Sequence, residues 1–302
     1  MSRALMQGSP GIRRFVFRLK LTIARSIPVA AGRLLAYFVG TLLWFFDTRG
    51  RKVVERNLAH FIPARDGLLR SVRRNYICFT IYLYESFRMD RLPAWYFSEP
   101  HLTFSDPYGA FRNKPTAGPI IVVTVHSHWE LIAMVLHRLA LIEQIDAVAL
   151  SSGDPEIDHI FQKLRKSANS DSFDLKHAPL ASLRALKAGR IIGIVADRDY
   201  TGNGIVMPFA GEPMRLPLGP AALAVQTGAT IIPLFLGRRG LMRMQMIVGK
   251  PIKADPNKSK ATEVDRIMRS LSNTMTRFLS SAPAQWVAFH DAWEDGRKFS
   301  QK

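Results

Sequence analysis

Gly118-Pro-Ile-Ile-Val-Val-Thr-Val-His126-Ser-His128-Trp129-Glu130-Leu-Ile-Ala-Met134 joins two kinds of structure in one stretch. Ile120 to Val125 is an apolar, β-branched run of the kind that makes a strand buried on both faces. From Glu130 through Leu136 the sequence reads as a helix. His126, Ser127, His128, Trp129 and Glu130 therefore fall at the C-terminal end of a strand, where open α/β sheets place their chemistry. His126 and Glu130 stand at i, i+4, a spacing that lets a carboxylate orient a histidine acting as general base. The same spacing also suits a helix cap or a surface contact, so the motif alone does not decide.

Downstream the pattern alternates strand and helix. Ala147 to Leu150 reads as a strand, and Asp154 to Ser167 as a helix with Pro155 in its first turn. Leu180 to Ala188 is a helix closed by Gly189, and Ile191 to Ala196 a buried strand running into Asp197-Arg198-Asp199. Leu218 to Thr227 is a helix closed by Gly228. Ile231 to Leu236 and Met244 to Val248 are strands, and Thr262 to Leu279 is a long helix. This order predicts an α/β fold with a mixed, mainly parallel sheet covered by helices.

Upstream, residues 51–98 read as helical. One helix ends at Pro63, and a second from Asp66 to Phe87 carries Leu69, Val72, Tyr76, Phe79, Leu83 and Phe87 near one face. Trp95, Tyr96 and Phe97 suit core packing or an acyl-chain surface. Residues 1–26 are basic without an acid, from Arg3 to Arg25, with Ile12, Phe15, Val16, Leu19 and Ile23 at helical spacing. Ile27 to Phe46 follows, and its uninterrupted apolar part, Leu34 to Phe46, is short for a span and typical of an interfacial or re-entrant helix. The chain divides into a basic N-terminal segment with a membrane-anchoring helix, 1–50, and a second domain, 51–302.

With 42 Lys and Arg against 24 Asp and Glu, the net charge of +18 calls for an anionic partner. The charge is spread along the chain and no recognition helix or RNA-binding signature is present, so a membrane surface is favoured over nucleic acid. Cys78 is the only cysteine, which excludes an internal disulfide and a cysteine-rich metal site. Neither a G-x-x-x-x-G-K-[ST] phosphate loop nor a G-x-S-x-G nucleophile elbow occurs. His126 and His128 could open a metal site of a hydrolase, with His159, His177, His290 or Asp197 as further ligands, though none sits at a diagnostic spacing.

Asp197 to Pro233 resembles the lipid A biosynthesis (late) acyltransferase family and its phosphatidylinositol-mannoside-acylating relatives. The likeness rests on the acidic-basic strand end at Asp197-Arg198-Asp199, Pro208-Phe209 with Gly211, Pro217 with Gly219-Pro220, and Thr227-Gly228-Ala229 before Pro233. Asn57-Leu58 with Phe61 and Pro63, Trp129-Glu130, Arg165, and Pro283 to Trp293 agree with it, from about residue 30 to 297. The family is similar to the glycerolipid acyltransferases in using a His and an acid separated by four residues; here only three residues separate His126 from Glu130. The resemblance implies transfer of a fatty acyl group from a thioester, on acyl carrier protein or coenzyme A, to a hydroxyl of an anionic lipid or glycolipid such as a lipid A precursor. It implies His126 as base, with His128 as second choice, Glu130 as its orienting acid, and no cofactor or metal. Arg165 and Arg198 become candidates for holding phosphate or the oxyanion, and Asp197 and His128 complete the candidate substrate-binding set. The expected location is the cytoplasmic face of a bacterial inner membrane. A non-catalytic membrane-binding protein that keeps the fold is the alternative outside enzymes.

Overall fold

The computed structural model describes residues 10–111, 118–175 and 177–293; Arg3 of the basic segment and the ends of the two expected domains lie outside them. Four helices come first: α1 (Pro10–Ser26), α2 (Val29–Phe46), α3 (Thr48–Ala59) and α4 (Arg65–Ser86). Strand β1 (Leu102–Ser105) precedes the central strand β2 (Ile120–Thr124). Next come α5 (Ile132–Arg138), β3 (Ile145–Ala149), α6 (Pro155–Ser167), β4 (Ser170–Asp174), α7 (Ala178–Lys187) and β5 (Ile191–Val195). The chain ends through β6 (Ile205–Phe209), β7 (Glu212–Leu216), α8 (Gly219–Thr227), β8 (Thr230–Arg239), β9 (Arg243–Val248) and α9 (Lys260–Ser281).

The main sheet has the order β1-β9-β8-β2-β5-β3-β4, and β6 and β7 form a separate antiparallel hairpin. β2 pairs in parallel with β5 on one side and β8 on the other; only the β8–β9 pairing within the large sheet is antiparallel. The mixed, mainly parallel sheet is thus the expected one. Side-chain alternation along β2 divides the core in two. Ile121 and Val123 join the layer under α8 and α9, with Ala221, Ala224, Ile267 and Leu271. Val122 joins the opposite layer with Leu131, Val135, Ile232 and Met246. Gly228 ends α8 in the left-handed conformation at φ +70°, which a glycine adopts without Cβ strain.

Four strands escape sequence reading. β1 and β4 are short edge strands with polar alternates, and the β6–β7 hairpin turns through Ala210-Gly211 with Pro208 opposite Pro213. β1, β4 and β7 lack the apolar run that marks β2 or β5, and in β6 the run carries Pro208, which argues against a strand. The phase of α4 also differs from expectation. Leu69 is 45% exposed while Leu68 is buried, and from Asn75 onward nearly every side chain is enclosed by α2, α3 and the C-terminal segment. Tyr96 and Phe97 are core residues and Trp95 is exposed.

α2 is the one described helix long and apolar enough to cross a membrane. Its face bearing Gly32, Arg33, Ala36 and Gly40 packs against the rest of the protein. A Cβ at Gly40 would lie 2.5 Å from Thr80 Oγ1, and Thr80 Oγ1 donates to Ala36 O at 2.7 Å. Arg33 donates to the buried carboxylate of Glu85 at 2.9 Å, and Arg238 donates to both its oxygens at 2.6 and 2.7 Å. Burial alone would raise the Glu85 pKa; Arg238 and Arg33 outweigh it and hold the carboxyl below its ordinary range. The opposite face of α2 exposes Leu34, Leu35, Phe38, Leu42, Phe45 and Phe46, and α1 exposes Ile12, Phe15 and Leu19. The apolar stripe expected on α1 therefore points largely outward.

Candidate active site

Parallel pairing of β2 with β5 brings the site together. Ile120 faces Ile191 and Thr124 faces Val195, and beyond them Ala196 N–H donates to Thr124 O. Continuing the same 71-residue offset by two more residues sets Asp197 beside His126. His126 backbone N–H donates to Asp197 Oδ1 at 3.0 Å, and His126 Nδ1 lies 2.8 Å from the same oxygen. An ionised carboxylate only accepts, so Nδ1 carries the proton and Nε2 is left as the basic nitrogen.

Asp197 is 2% exposed, and its second oxygen accepts from Trp286 Nε1 at 2.6 Å. Burial by itself would raise its pKa; the charge and hydrogen bonds of His126 and the Trp286 N–H more than offset that and keep it ionised. Trp286 is positioned from elsewhere. Asn75 Nδ2 donates to the carbonyls of Ala284 and Trp286, and Asn57 Nδ2 to those of Ala288 and His290. Val287 N–H donates to His126 O at 2.7 Å. Two helix asparagines thus clamp the C-terminal segment against the dyad.

Glu130, expected to orient His126, is held by Arg165 instead. Nε and Nη2 of Arg165 donate to its two oxygens at 3.0 and 2.7 Å, a bidentate pair. The reason is local: residues 129–131 form a short 3₁₀ turn before α5, so Glu130 is not one α-helical turn along a helix that includes His126. Arg165 also lies 5.4 Å over the Trp129 ring. Burial would lower the Arg165 pKa, but Glu130 reverses this and keeps it a cation.

His126, Trp129, Arg165, Arg198 and Tyr200 share the lining of a cavity of about 600 Å³, otherwise walled mainly by apolar side chains such as Val148, Leu175 and Leu223. That volume falls within the roughly 300–1,000 Å³ of small-molecule sites. Tyr200 Oη is 3.3 Å from His126 Nε2, and Arg198 lies 4.5 Å over the Tyr200 ring. Asp199 Oδ1 and Oδ2 accept from the backbone of Thr201, Gly202 and Gly204, fixing the loop that carries Tyr200. Sequence reading assigned no part to Tyr200 or to Trp286, although both lie in the quoted stretches; neither residue type announces a contact with a strand end so distant in the chain.

His128 turns the other way. It is 1% exposed, packs against the Tyr82 ring, and its Nε2 is 4.0 Å from Glu85. Burial first, then the charges of Arg238 and Arg33, lower its pKa to about 3, so it is neutral. It does not converge with His126, and among the described residues no three His, Cys, Asp or Glu side chains group as a metal site. His290 is near the dyad, its pKa lowered to about 3 by burial and by the charge of Arg198.

At the end of a parallel strand, then, a histidine oriented by a buried aspartate faces a mainly apolar cavity, an arrangement able to take a proton from a group bound there. The chain belongs to the family described as Bacterial lipid A biosynthesis acyltransferase, which it matches over residues 12–295. It is also similar to phosphatidylinositol mannoside acyltransferases. Those of Mycobacterium tuberculosis are 30% identical over 111 residues, 36% of this chain and 32% of theirs. That of Mycolicibacterium smegmatis is 29% identical over 109 residues, 36% of this chain and 34% of its own. The chain thus spans about a third of the length of the curated relatives it matches.

Proposed function

We propose that this protein is a membrane-associated O-acyltransferase that moves a fatty acyl chain from a thioester to a hydroxyl of a lipid or glycolipid. The observation that carries the reading is the His126–Asp197 pair on a large apolar cavity, within a chain of this family. His126 Nε2 takes the acceptor's proton as its oxygen attacks the thioester carbonyl. Asp197 holds the tautomer and stabilises the imidazolium, and the imidazolium returns the proton to the departing thiolate. No acyl-enzyme is required. The cavity receives the acyl chain, and Arg198 at its rim is suited to a phosphate of the donor or acceptor. Arg165, held by Glu130, lines the cavity with Trp129.

The relatives' names and the family's point to glycolipid acceptors, a phosphatidylinositol mannoside or a lipid A precursor. Acyl carrier protein and acyl-coenzyme A are both anionic donors that suit a chain of charge +18. Residues 1–50, with the exposed apolar faces of α1 and α2 beside many arginines, form the part that meets an anionic bilayer, at the cytoplasmic face of an inner membrane. The metal-dependent hydrolase reading loses support from the geometry, because His128 points into the core beside Glu85.

The test is transfer by the purified protein from radiolabelled hexadecanoyl-coenzyme A or hexadecanoyl-acyl carrier protein to phosphatidylinositol mannoside and to a lipid A precursor. Labelled lipid should form, and His126→Ala should lower the rate by roughly 10²–10⁴-fold. Wild-type protein that labels no lipid, or a fully active His126→Ala variant, would remove the proposal.

A further inference from the structure

Acyl transfer needs two things at the reacting carbon: a base for the acceptor and a hydrogen-bond donor for the carbonyl oxygen as it becomes negative. The first is His126. The donors around it are mostly committed elsewhere. His126 N–H serves Asp197, Ser127 N–H serves Val125 O, and the Ser127 hydroxyl donates to Leu236 O at 3.0 Å. Arg165 directs Nε and Nη2 to Glu130.

Tyr200 is different. Its hydroxyl stands 3.3 Å from Nε2, the nitrogen that must receive the acceptor's proton, and it shares the cavity with His126. Nδ1 of His126 donates to Asp197, so Nε2 is an acceptor and the phenol is the donor of this contact. A distance of 3.3 Å is long for an O–H···N bond, and a hydroxyl rotates freely about its C–O bond. Acceptor oxygen and phenol oxygen can therefore both stand next to Nε2, the ring staying in place while only its O–H turns.

We propose that Tyr200 is a catalytic residue, the donor that stabilises the thioester oxygen when negative charge develops there. The assignment rests on the acyl-transfer reading above. As the acceptor O–H gives its proton to Nε2, the new C–O bond forms and the carbonyl π pair moves to oxygen. Nε2 can then no longer accept from the phenol, so the Tyr200 O–H turns to that oxygen. When the C=O re-forms, the C–S bond breaks with its electron pair on sulfur, and the imidazolium proton neutralises the thiolate.

Three further features suit this role. Partial burial raises the Tyr200 pKa above its ordinary value, against the opposing charge of Arg198, so the phenol keeps its proton. Arg198, 4.5 Å over the ring, draws electron density from it and makes the O–H a stronger donor. The Asp199-anchored turn holds the ring without a cost at the moment of reaction.

The test uses Tyr200→Phe, which keeps the ring and loses the hydroxyl, with hexadecanoyl-coenzyme A as donor and phosphatidylinositol mannoside in detergent micelles as acceptor. The expected result is a kcat lowered roughly 10²–10³-fold with KM for both substrates little changed. The same comparison is made with the dithioester analogue, in which sulfur replaces the carbonyl oxygen. Sulfur accepts hydrogen bonds poorly, so there the wild-type advantage should shrink to about threefold or less. Tyr200→Phe at near wild-type rate, or an equally large loss with the dithioester, would overturn the assignment, the second because the hydroxyl would then act on structure. If wild type transfers nothing, or His126→Ala is unimpaired, the acyl-transfer reading itself falls and takes the Tyr200 proposal with it.

Discussion

Replacing Asp197 by Asn tests the dyad with one atom changed and little change of shape. The carboxylate accepts three hydrogen bonds: two on Oδ1 from His126, and one on Oδ2 from Trp286 Nε1. An amide cannot satisfy all three. With its oxygen toward His126, the amide NH₂ meets the Trp286 N–H, donor against donor across 2.6 Å. With its oxygen toward Trp286, the NH₂ meets the His126 backbone N–H and drives the ring to the tautomer with Nδ1 unprotonated, which puts the proton on Nε2 and removes the base. Each orientation leaves one buried clash, a loss of about 1–3 kcal/mol of stability. Either way the charge that stabilises the imidazolium is gone. We expect kcat to fall roughly 10²–10⁴-fold with the KM for acyl donor little altered. Trp286→Phe in the same chain removes one clash and lets the amide oxygen face His126. The double variant should therefore be more active than Asp197→Asn alone, by about tenfold, without reaching wild type. The assay is initial-rate transfer of labelled acyl chain, alongside thermal unfolding to follow stability. Full activity in Asp197→Asn, or a double variant no more active than Asp197→Asn alone, would refute this account of the orienting hydrogen bonds.

Three other outcomes follow from the same geometry. Arg165→Ala strands the Glu130 carboxylate, only 4% exposed, so urea unfolding should show a loss of about 3–5 kcal/mol; Glu130→Gln together with Arg165→Ala should recover part of it, and no recovery would mean the pair is not the cause. His128 is held neutral in the folded state with a pKa of about 3, whereas an unfolded histidine titrates near ~6.5, so the unfolded chain binds the extra proton between these values. Its contribution is full above pH ~6.5 and falls by about 1.4 kcal/mol per pH unit below it, roughly 2 kcal/mol by pH 5; His128→Asn should flatten the pH dependence of the urea midpoint, and an unchanged slope would place the titration elsewhere. Phe38→Glu and Leu42→Glu on the exposed face of α2 should weaken co-sedimentation with anionic vesicles, while wild-type binding should weaken with salt as charges are screened beyond about 10 Å at ~0.1 M; vesicle binding unaffected by both substitutions would assign attachment to another surface.

Much of the architecture was legible before any coordinates, because local pattern and tertiary placement agree in those segments. Ile120 to Val125, Ile191 to Ala196 and Ile231 to Leu236 are too apolar to be anything but buried strands. Gly189 and Gly228 mark helix ends by a backbone conformation that glycine supplies most easily. The stretch around His126 likewise placed a basic ring at a strand end. The short strands Leu102–Ser105 and Ser170–Asp174 were not visible, since their stability comes from pairing partners rather than from their own side chains.

The identity of the group that orients His126 was decided only by tertiary structure. Sequence proximity favoured Glu130, four positions along, but a 3₁₀ turn and the arginine of α6 take that carboxylate away. Asp197 wins because parallel strands carry their register past their ends. Once β5 lies beside β2, residues 71 apart emerge together, and no local pattern states which strand will be the neighbour. Trp286 and Tyr200 reach the same point from a C-terminal segment clamped by two asparagines and from a loop tied by Asp199. Short-range chemistry thus wrote the strands, the turns and the histidine, while the long-range pairing of β2 with β5 chose its partners.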